Sequence, residues 1–351
     1  MGVRFEGLFR MKMYDDLSNE ISQFLEEEES KQEDPTLTPS ERQCLILSMR
    51  LLLNDVKLMT GRGEESIEEL KMVSSWLTSS EHSAMIFWLW RTKMHIVNAY
   101  IRMRNWKAAL LEMDCILAEL EQRGALLAVD DKQSDDTPRL IMAQIFMLVK
   151  MARLSFQIGS SRLGGAYYEK ASALFASDST VSKNAIIQSE LLLTQGLLLF
   201  TSDQFEQALD NFATIVDFEG VGASEEAPVM LHSGVHEQYA SSAEAIAAAV
   251  SIPTLQQTGA DSSQLAAAVN NLSICSLYLK QIRTAIQRLE QLITRDPARF
   301  LSDPVVFNLC TLYDLSFAPE TSLLSKKLLQ KVASEYHVDD PILHWRSFRL
   351  S

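Results

Sequence analysis

A pair of small residues twelve positions apart constrains the fold of this chain more than any other feature. In the segment QGLLLFTSDQFEQALDNF, Gly196 is followed twelve residues later by Ala208, and then by the large Phe212. Two antiparallel helices joined by a short turn cross at one residue on each helix, and both residues must be small for the backbones to approach. Because a glycine costs about 1 kcal/mol relative to alanine inside a helix, its presence at position 196 predicts such a crossing.

The same spacing recurs along the chain, which indicates a structural repeat. Two further clear copies comprise Ala152, Gly164, Tyr168 and Ala171, and then Ser273, Ala285, Leu289 and Leu292, closed by Pro297. Two weaker copies comprise Val97, Tyr100, Ala109, Met113 and Ile116, and then Cys310 and Tyr313. These spacings are typical of the tetratricopeptide repeat. They predict an all-α fold: an α-solenoid of tetratricopeptide-type antiparallel helix pairs, forming a right-handed superhelix, with insertions between the pairs.

Glycine, proline and short polar residues predict where the helices are interrupted. They cluster at 61–65, 130–138, 219–228 and 251–263. The predicted regions are an acidic N-terminal segment (1–40), helical hairpins with a degenerate repeat (41–125), helix pairs (139–218), an insertion (219–263) and C-terminal helix pairs (264–351). Two helices are predicted from local pattern, one at 41–59 with Thr38 as its N-cap and one at 236–250 inside the insertion.

The formal net charge of −14 narrows the class of partner. Between Tyr14 and Glu41 there are ten acids and one base, so much of the charge lies near the N-terminus. Affinity for nucleic acids comes largely from Lys and Arg that neutralise phosphates, and the sequence shows no basic helix suited to an anionic membrane surface. We therefore predict protein partners and no nucleic acid.

The most apolar runs are too short to cross a membrane. LLLTQGLLLF (191–200) and AMIFWLW (84–90) fall well below the roughly 20 apolar residues that a spanning helix needs, and no other stretch does better. The start of the chain lacks the pattern of a secretory signal, and the four cysteines are far apart with no CxxC pair. We predict a cytoplasmic protein without direct membrane insertion.

Candidate catalytic groups are few. His232 and His236 are four residues apart, a spacing that can place two imidazoles on one helix face as metal ligands, but HSGVH lacks the order found in zinc proteases. The carboxylates at 130–131 and 135–136 lie in a loop-like stretch. The sequence contains no phosphate-binding loop, dinucleotide-binding loop or serine-nucleophile motif. We predict no enzyme activity, no cofactor and no metal.

Two groups of residues are candidates for protein binding. Trp88 and Trp90 cannot point in the same direction on one helix, so one is predicted to pack internally while the other serves a partner, as tryptophan often does at interfaces. The alternative is a helix that is buried on both sides. Asn270, Asn271 and Asn308 lie in the first helices of predicted repeats and are candidates for a concave binding groove.

The C-terminal part also resembles a known family. NNLSICSLYLKQIRTAIQRLEQLITRDPARFLSDPVVFNLCTLYDL (270–315), with LLLTQGLLLFTSDQFEQALDNF before it, resembles the tetratricopeptide-repeat subunit of the TRAPP vesicle-tethering complex, subunit twelve. The likeness extends over about 140–315. It implies a cytosolic subunit, peripheral to ER–Golgi membranes, of the larger Rab-activating TRAPP assembly, which acts in ER-to-Golgi traffic and autophagy.

The predicted function is therefore a non-catalytic scaffold that contacts other subunits of a tethering complex. The alternative is a stand-alone peptide-binding module of the chaperone-adaptor type. A third hypothesis is a metal-dependent hydrolase that uses His232 and His236.

Overall fold

The structure is a computed structural model that describes residues 5, 8, 13–30, 39–78, 83–129, 136–222, 241–251, 260–336, 343 and 345–350. All regular secondary structure within these residues is helical. The α-helices are α1 (Tyr14–Ser30), α2 (Pro39–Met59), α3 (Gly63–Thr78), α4 (Ser83–Arg102), α5 (Trp106–Val129), α6 (Asp136–Gln157), α7 (Ser161–Ser177), α8 (Ala185–Thr201), α9 (Phe205–Gly222), α10 (Ser242–Ser251), α11 (Ala260–Tyr278), α12 (Ile282–Arg295), α13 (Pro297–Phe300), α14 (Asp303–Ser316) and α15 (Pro319–Glu335). Two 3-10 turns span Val181–Lys183 and Trp345–Phe348. The predicted all-α fold is confirmed.

Five helix pairs share one turn geometry, in which a single residue adopts a positive φ. The five turns join α2 to α3, α4 to α5, α6 to α7, α8 to α9, and α11 to α12, and their positive-φ residues are Gly61, Arg104, Gly159, Asp203 and Lys280. In each turn the next N–H donates to a carbonyl five residues back, as from Asn105 to Tyr100. This bond closes the first helix as in a Schellman motif. Three of the five turns place a side chain where glycine is preferred.

These turns predict that exchanging glycine and arginine changes the free energy of unfolding in opposite directions at two equivalent positions. Arg104 has φ 58° and Gly159 has φ 83°. Because the left-handed conformation costs an L-residue about 1–2 kcal/mol, Arg104→Gly is expected to stabilise the fold, by about 0.5–1 kcal/mol once the flexibility of glycine is subtracted. Gly159→Arg is expected to destabilise it by a similar amount. Urea unfolding of both variants checks this, and the same sign for both would contradict the shared geometry.

The chain divides into two compact units. The first comprises residues 1–154, 169–183 and 229–254, and the second comprises 155–168, 184–228 and 255–351. In the first unit α1 to α5 pack consecutively, and α4 also contacts α2 and α10. In the second unit α8, α9 and α11 share one core, and α12, α14 and α15 follow. The five sequence regions predicted above are not the same divisions, and their boundaries stay predictions.

Several helices extend into segments that were predicted to be loops. Helix α3 begins at Gly63, α6 at Asp136 and α11 at Ala260, while α9 continues to Gly222. Acidic residues in a first turn favour the helix dipole, which explains the early start of α3 with Glu64 and Glu65. The loops predicted at 61–65, 130–138, 219–228 and 251–263 were therefore too long. Thr38 and, within the last three loops, residues 130–135, 223–228 and 252–259 lie outside the described residues.

The insertion contributes a helix to the first unit, as the sequence predicted. Helix α10 packs along α4 and buries Ala243, Ala245, Ile246 and Ala249. Its start is fixed by Ser241, whose hydroxyl accepts from the N–H of Glu244 at 3.1 Å and donates to Asp136. Glu244 also lies 3.6 Å from the guanidinium of Arg139. The remaining part of the predicted helix, 236–240, lies outside the described residues.

Among the described helices, one is long and apolar enough to cross a membrane by length and composition alone, which corrects the sequence analysis. Helix α6 contains an 18-residue window with a mean hydropathy of 1.3, and 61% of that window is buried within the protein. A core helix also passes this test. Two of its polar side chains bond to neighbouring helices: Gln144 donates to the carbonyl of Leu120, and Lys150 donates to Asn98. The apolar character of α6 is thus accounted for by packing inside the first unit.

Candidate protein-interaction surface

The predicted crossing of α8 and α9 is tightly packed around Gly196. Gly196 and Phe212 are both buried, and a Cβ on Gly196 would lie 2.6 Å from Cζ and 3.0 Å from Cδ1 of Phe212. Ala208 is fully buried in the same core, which also contains Leu193, Ile215, Ala268, Leu272 and Cys275. No larger side chain fits at position 196 unless the ring of Phe212 moves. The predicted close approach is thus between the glycine and an aromatic ring.

The other predicted repeat residues are mostly buried as well. Ala152, Gly164, Ala171, Ser273, Ala285, Leu289, Leu292 and Tyr313 are buried, while Tyr168 and Pro297 are partly exposed. Helix α12 ends at Arg295, and Pro297 begins the four-residue α13 with Asp296 as its N-cap. The hydroxyl of Tyr313 donates to Glu290 at 2.7 Å, and burial together with this bond raises the pKa of Tyr313 above its usual value. The burial of most of these residues agrees with the packing role that the sequence predicts, which stays a prediction.

Two of the three candidate asparagines are hydrogen-bonded to each other. The amide of Asn308 on α14 donates to Oδ1 of Asn270 on α11 at 2.9 Å. Asn270 is buried, and Asn271 and Asn308 are partly exposed. Asn270 and Asn308 thus link the first helices of two successive pairs, and this bond occupies part of their hydrogen-bonding capacity. A role in peptide binding stays an untested prediction for all three.

The prediction that Trp88 or Trp90 is offered to a partner is wrong, because both side chains are buried. Helix α4, which carries them, is covered by α2, α3, α5 and α10. The ring of Trp90 also contacts two cations of α4 and α5, with Nζ of Lys93 at 5.1 Å and the guanidinium of Arg123 at 5.8 Å from its centroid. The alternative, a helix buried on both sides, is the arrangement that the structure shows.

Among the described residues of the first unit, Trp76 is the exposed aromatic residue, and the sequence analysis did not select it. Trp76 is 54% exposed and Met72, one turn earlier on α3, is 66% exposed. The opposite side of α3 buries Ile67, Leu70, Val73 and Leu77. The sequence held a signal for this: Met72 and Trp76 are out of phase with the periodic apolar residues that form the buried face. We call these two residues the Met72–Trp76 patch.

The chain is similar to curated proteins over a short stretch only. No family model matches the sequence. Over 70 residues it is 36% identical to Trafficking protein particle complex subunit 12 of Mus musculus and 34% identical to the same subunit of Homo sapiens. The match covers 20% of this chain and 9% of each relative. The chain therefore aligns with a small part of those longer proteins.

Comparison with solved structures decides the fold. A tetratricopeptide repeat protein from Parabacteroides merdae matches with a TM-score of 0.50 and 9% sequence identity, covering 94% of this chain and 94% of the other. The fold is of the tetratricopeptide type. With so low an identity this likeness concerns the fold alone, but it extends over nearly the whole chain.

Metal-ligating groups and reactive thiols were both considered as candidate sites, and the described part of the chain gives little support for either. It contains no group of three or more His, Cys, Asp or Glu side chains arranged to hold a metal ion. Burial raises the pKa of the Cys275 and Cys310 thiols to about 11, so these thiols stay protonated and unreactive at neutral pH. Cys44 is buried, and Cys115 is exposed. His232 and His236 lie outside the described residues, as do the carboxylates at 130, 131 and 135; Asp136 pairs with Arg139 and Ser241.

Lys150 carries a desolvated ammonium group. Lys150 on α6 donates to Oδ1 of Asn98 on α4 at 2.9 Å. Burial, and secondarily the positive charge of Arg91, lower the pKa of Lys150 to about 8. An ammonium group desolvated in this way costs free energy.

Proposed function

We propose that the chain is a non-catalytic scaffold or adaptor subunit of a multisubunit vesicle-tethering complex of the TRAPP type, acting in ER-to-Golgi traffic and autophagy. The observation that carries the proposal is the 70-residue similarity to Trafficking protein particle complex subunit 12. The tetratricopeptide-type fold supports it, because stacked helix pairs form extended surfaces that suit protein binding. In this role the partners are other subunits of the complex, and the chain is cytoplasmic and reaches ER–Golgi membranes through them.

The Met72–Trp76 patch is the surface that best fits a subunit contact in the first unit. Large apolar side chains that are exposed together on one helix face mark interaction sites. Tryptophan is also enriched among the residues that carry most of an interface's binding energy. Glu64, Glu65 and Glu68 are exposed on the same helix and supply charged neighbours. The contact is therefore proposed to centre on Trp76, with acidic residues at its edge.

The test is affinity purification of the tagged chain from cells, with quantification of co-purifying TRAPP subunits. We expect the wild type to recover them, and Trp76→Ala to weaken the association by about thirtyfold, corresponding to about 2 kcal/mol for a tryptophan at the centre of an interface. Because Trp76 is exposed, the thermal melt should stay unchanged. Leu111→Ala on α5 is the control, since Leu111 is 65% exposed but lies outside the patch.

Two outcomes would contradict these claims separately. If the chain is recovered without any tethering subunit, its membership of such a complex is contradicted, and the stand-alone peptide-binding module is favoured. If the Trp76→Ala variant recovers all subunits at wild-type levels, membership of the complex is supported, but the Met72–Trp76 patch is not the contact.

A further inference from the structure

We propose that the outer face of α15 binds an acidic amphipathic helix of a partner protein. The surface consists of Leu324, Lys327, Leu328 and Lys331, which we call the α15 stripe. It belongs to the second unit and is distinct from the Met72–Trp76 patch. The proposal therefore goes beyond the proposed function and does not depend on which complex the chain joins.

The inner face of α15 is already occupied. Ser322, Lys326 and Leu329 are buried, at spacings of four and three residues. The hydroxyl of Ser322 donates to Asp314 of α14 at 2.7 Å, and Nζ of Lys326 donates to the same carboxylate at 2.7 Å. Lys326 also donates to the carbonyl of Arg349 at 3.0 Å, so the end of the chain packs on this side together with α14. This fixes the orientation of α15 about its own axis.

The outer face of α15 carries two exposed leucines. Leu324 and Leu328 each follow a buried residue by two positions, which places them on the opposite side of the helix. They are 67% and 64% exposed. Leucines four residues apart form the kind of ridge that packs into the groove of another helix.

The charges beside these leucines indicate the kind of helix that fits. Lys327 and Lys331 are both exposed beside Leu328, whereas the exposed Glu320 and Glu335 lie at the two ends of the same face. Lys331 lies 3.7 Å from Glu335 in a solvent-exposed i,i+4 pair, an arrangement worth only about 0.2–0.5 kcal/mol. Within the described residues Lys327 has no ion pair. From residue 260 onward the chain has ten Lys and Arg against nine Asp and Glu, whereas the preceding part has 22 against 37.

The two lysines at the centre of the α15 stripe favour one occupant. A second copy that docked through the same stripe would bring four lysines together, and like charges at an interface are unfavourable. A helix with leucine-type residues on one face and Glu or Asp beside them would cover Leu324 and Leu328 and pair with Lys327 and Lys331. An acidic amphipathic helix is therefore complementary in both shape and charge.

The experiment uses the full chain and two synthetic helical peptides of about 18 residues, long enough to form a helix in isolation. Both peptides have one leucine face, and their remaining positions are mainly Glu in one and Lys in the other. Fluorescence anisotropy is expected to show binding of the Glu peptide only. Leu324→Glu with Leu328→Glu should weaken binding by about tenfold or more. Lys327→Glu with Lys331→Glu should exchange the preference in favour of the Lys peptide.

Matched controls exclude nonspecific effects. Leu111→Glu with Leu126→Glu on α5 changes two leucines that are each 65% exposed, and this variant should bind like the wild type. Circular dichroism melts show whether each variant is folded, and because all four substituted residues of the stripe are exposed, unchanged melts are expected.

Three results would overturn the proposal. These are equal binding of both peptides, equal loss of binding in the α5 control, and concentration-dependent self-association in sedimentation that disappears in the Leu324→Glu, Leu328→Glu variant. The last result would assign the stripe to a second copy. None of these depends on co-purification with tethering subunits, so failure here is distinguishable from failure of the proposed function.

Discussion

Gly196→Leu is expected to destabilise the second unit by more than 3 kcal/mol, at or beyond the upper end of overpacking costs in protein cores. The structural reason is that the first carbon of any side chain at this position already meets the ring of Phe212, at 2.6 Å from Cζ. Phe212 is fully buried between α8, α9 and α11, so its ring cannot swing into solvent. Urea unfolding monitored by circular dichroism measures the loss.

Smaller changes at the same site test the mechanism. Gly196→Ala is expected to cost about 1–3 kcal/mol, despite the better helix propensity of alanine. Combining it with Phe212→Leu should cost less than the sum of the single changes, because the smaller side chain leaves room for the added methyl group. Gly165→Ala is the matched control. Its added Cβ would lie 3.6 Å from Leu198, an ordinary contact, so it should be neutral or stabilising by about 1 kcal/mol. Equal effects at 165 and 196 would contradict the crossing.

Lys150→Met is expected to stabilise the chain at pH 7 by about 1–2 kcal/mol, because removing the desolvated cation gains more than the loss of its hydrogen bond to Asn98 costs. The pH dependence of this stability difference tests whether desolvation of Lys150 is its cause. The pKa of Lys150 is about 8 in the folded protein and 10.5 is its ordinary value. Between these two pH values the unfolded chain binds more protons, so the stability of the wild type rises with pH through this window.

The variant lacks this titration, and its advantage over the wild type should shrink as pH rises from about 8 to 10.5. Thermal melts of both proteins across this range give the difference directly. Lys170→Met is the control, because Lys170 is exposed and pairs with Glu121 at 2.6 Å. A constant difference between Lys150→Met and the wild type at all pH values would show that the ammonium of Lys150 is not desolvated.

The helix pairs could be predicted from the sequence alone, because close helix crossings restrict side-chain size at fixed spacings. Gly196, Ala208 and Phe212 carry this restriction within one contiguous segment, so it could be read without knowledge of distant contacts. The helix inside the insertion was predictable for a similar local reason, since its alanines favour helix. The common turn geometry was not predictable, because Arg104, Asp203 and Lys280 stand where glycine is expected.

The choice of candidate surface depended on contacts between distant segments, which the local sequence pattern does not show. Trp88 and Trp90 point in different directions on α4, and the sequence does not show that α10, about 150 residues later, packs along the same helix. That packing helps to cover a face that otherwise resembles a binding surface. Trp76 differs in that its side chain is 54% exposed. The sequence determined which residues are large, small or charged along each helix, but only the tertiary structure decided which helix faces are covered, because coverage arises between segments far apart in the chain.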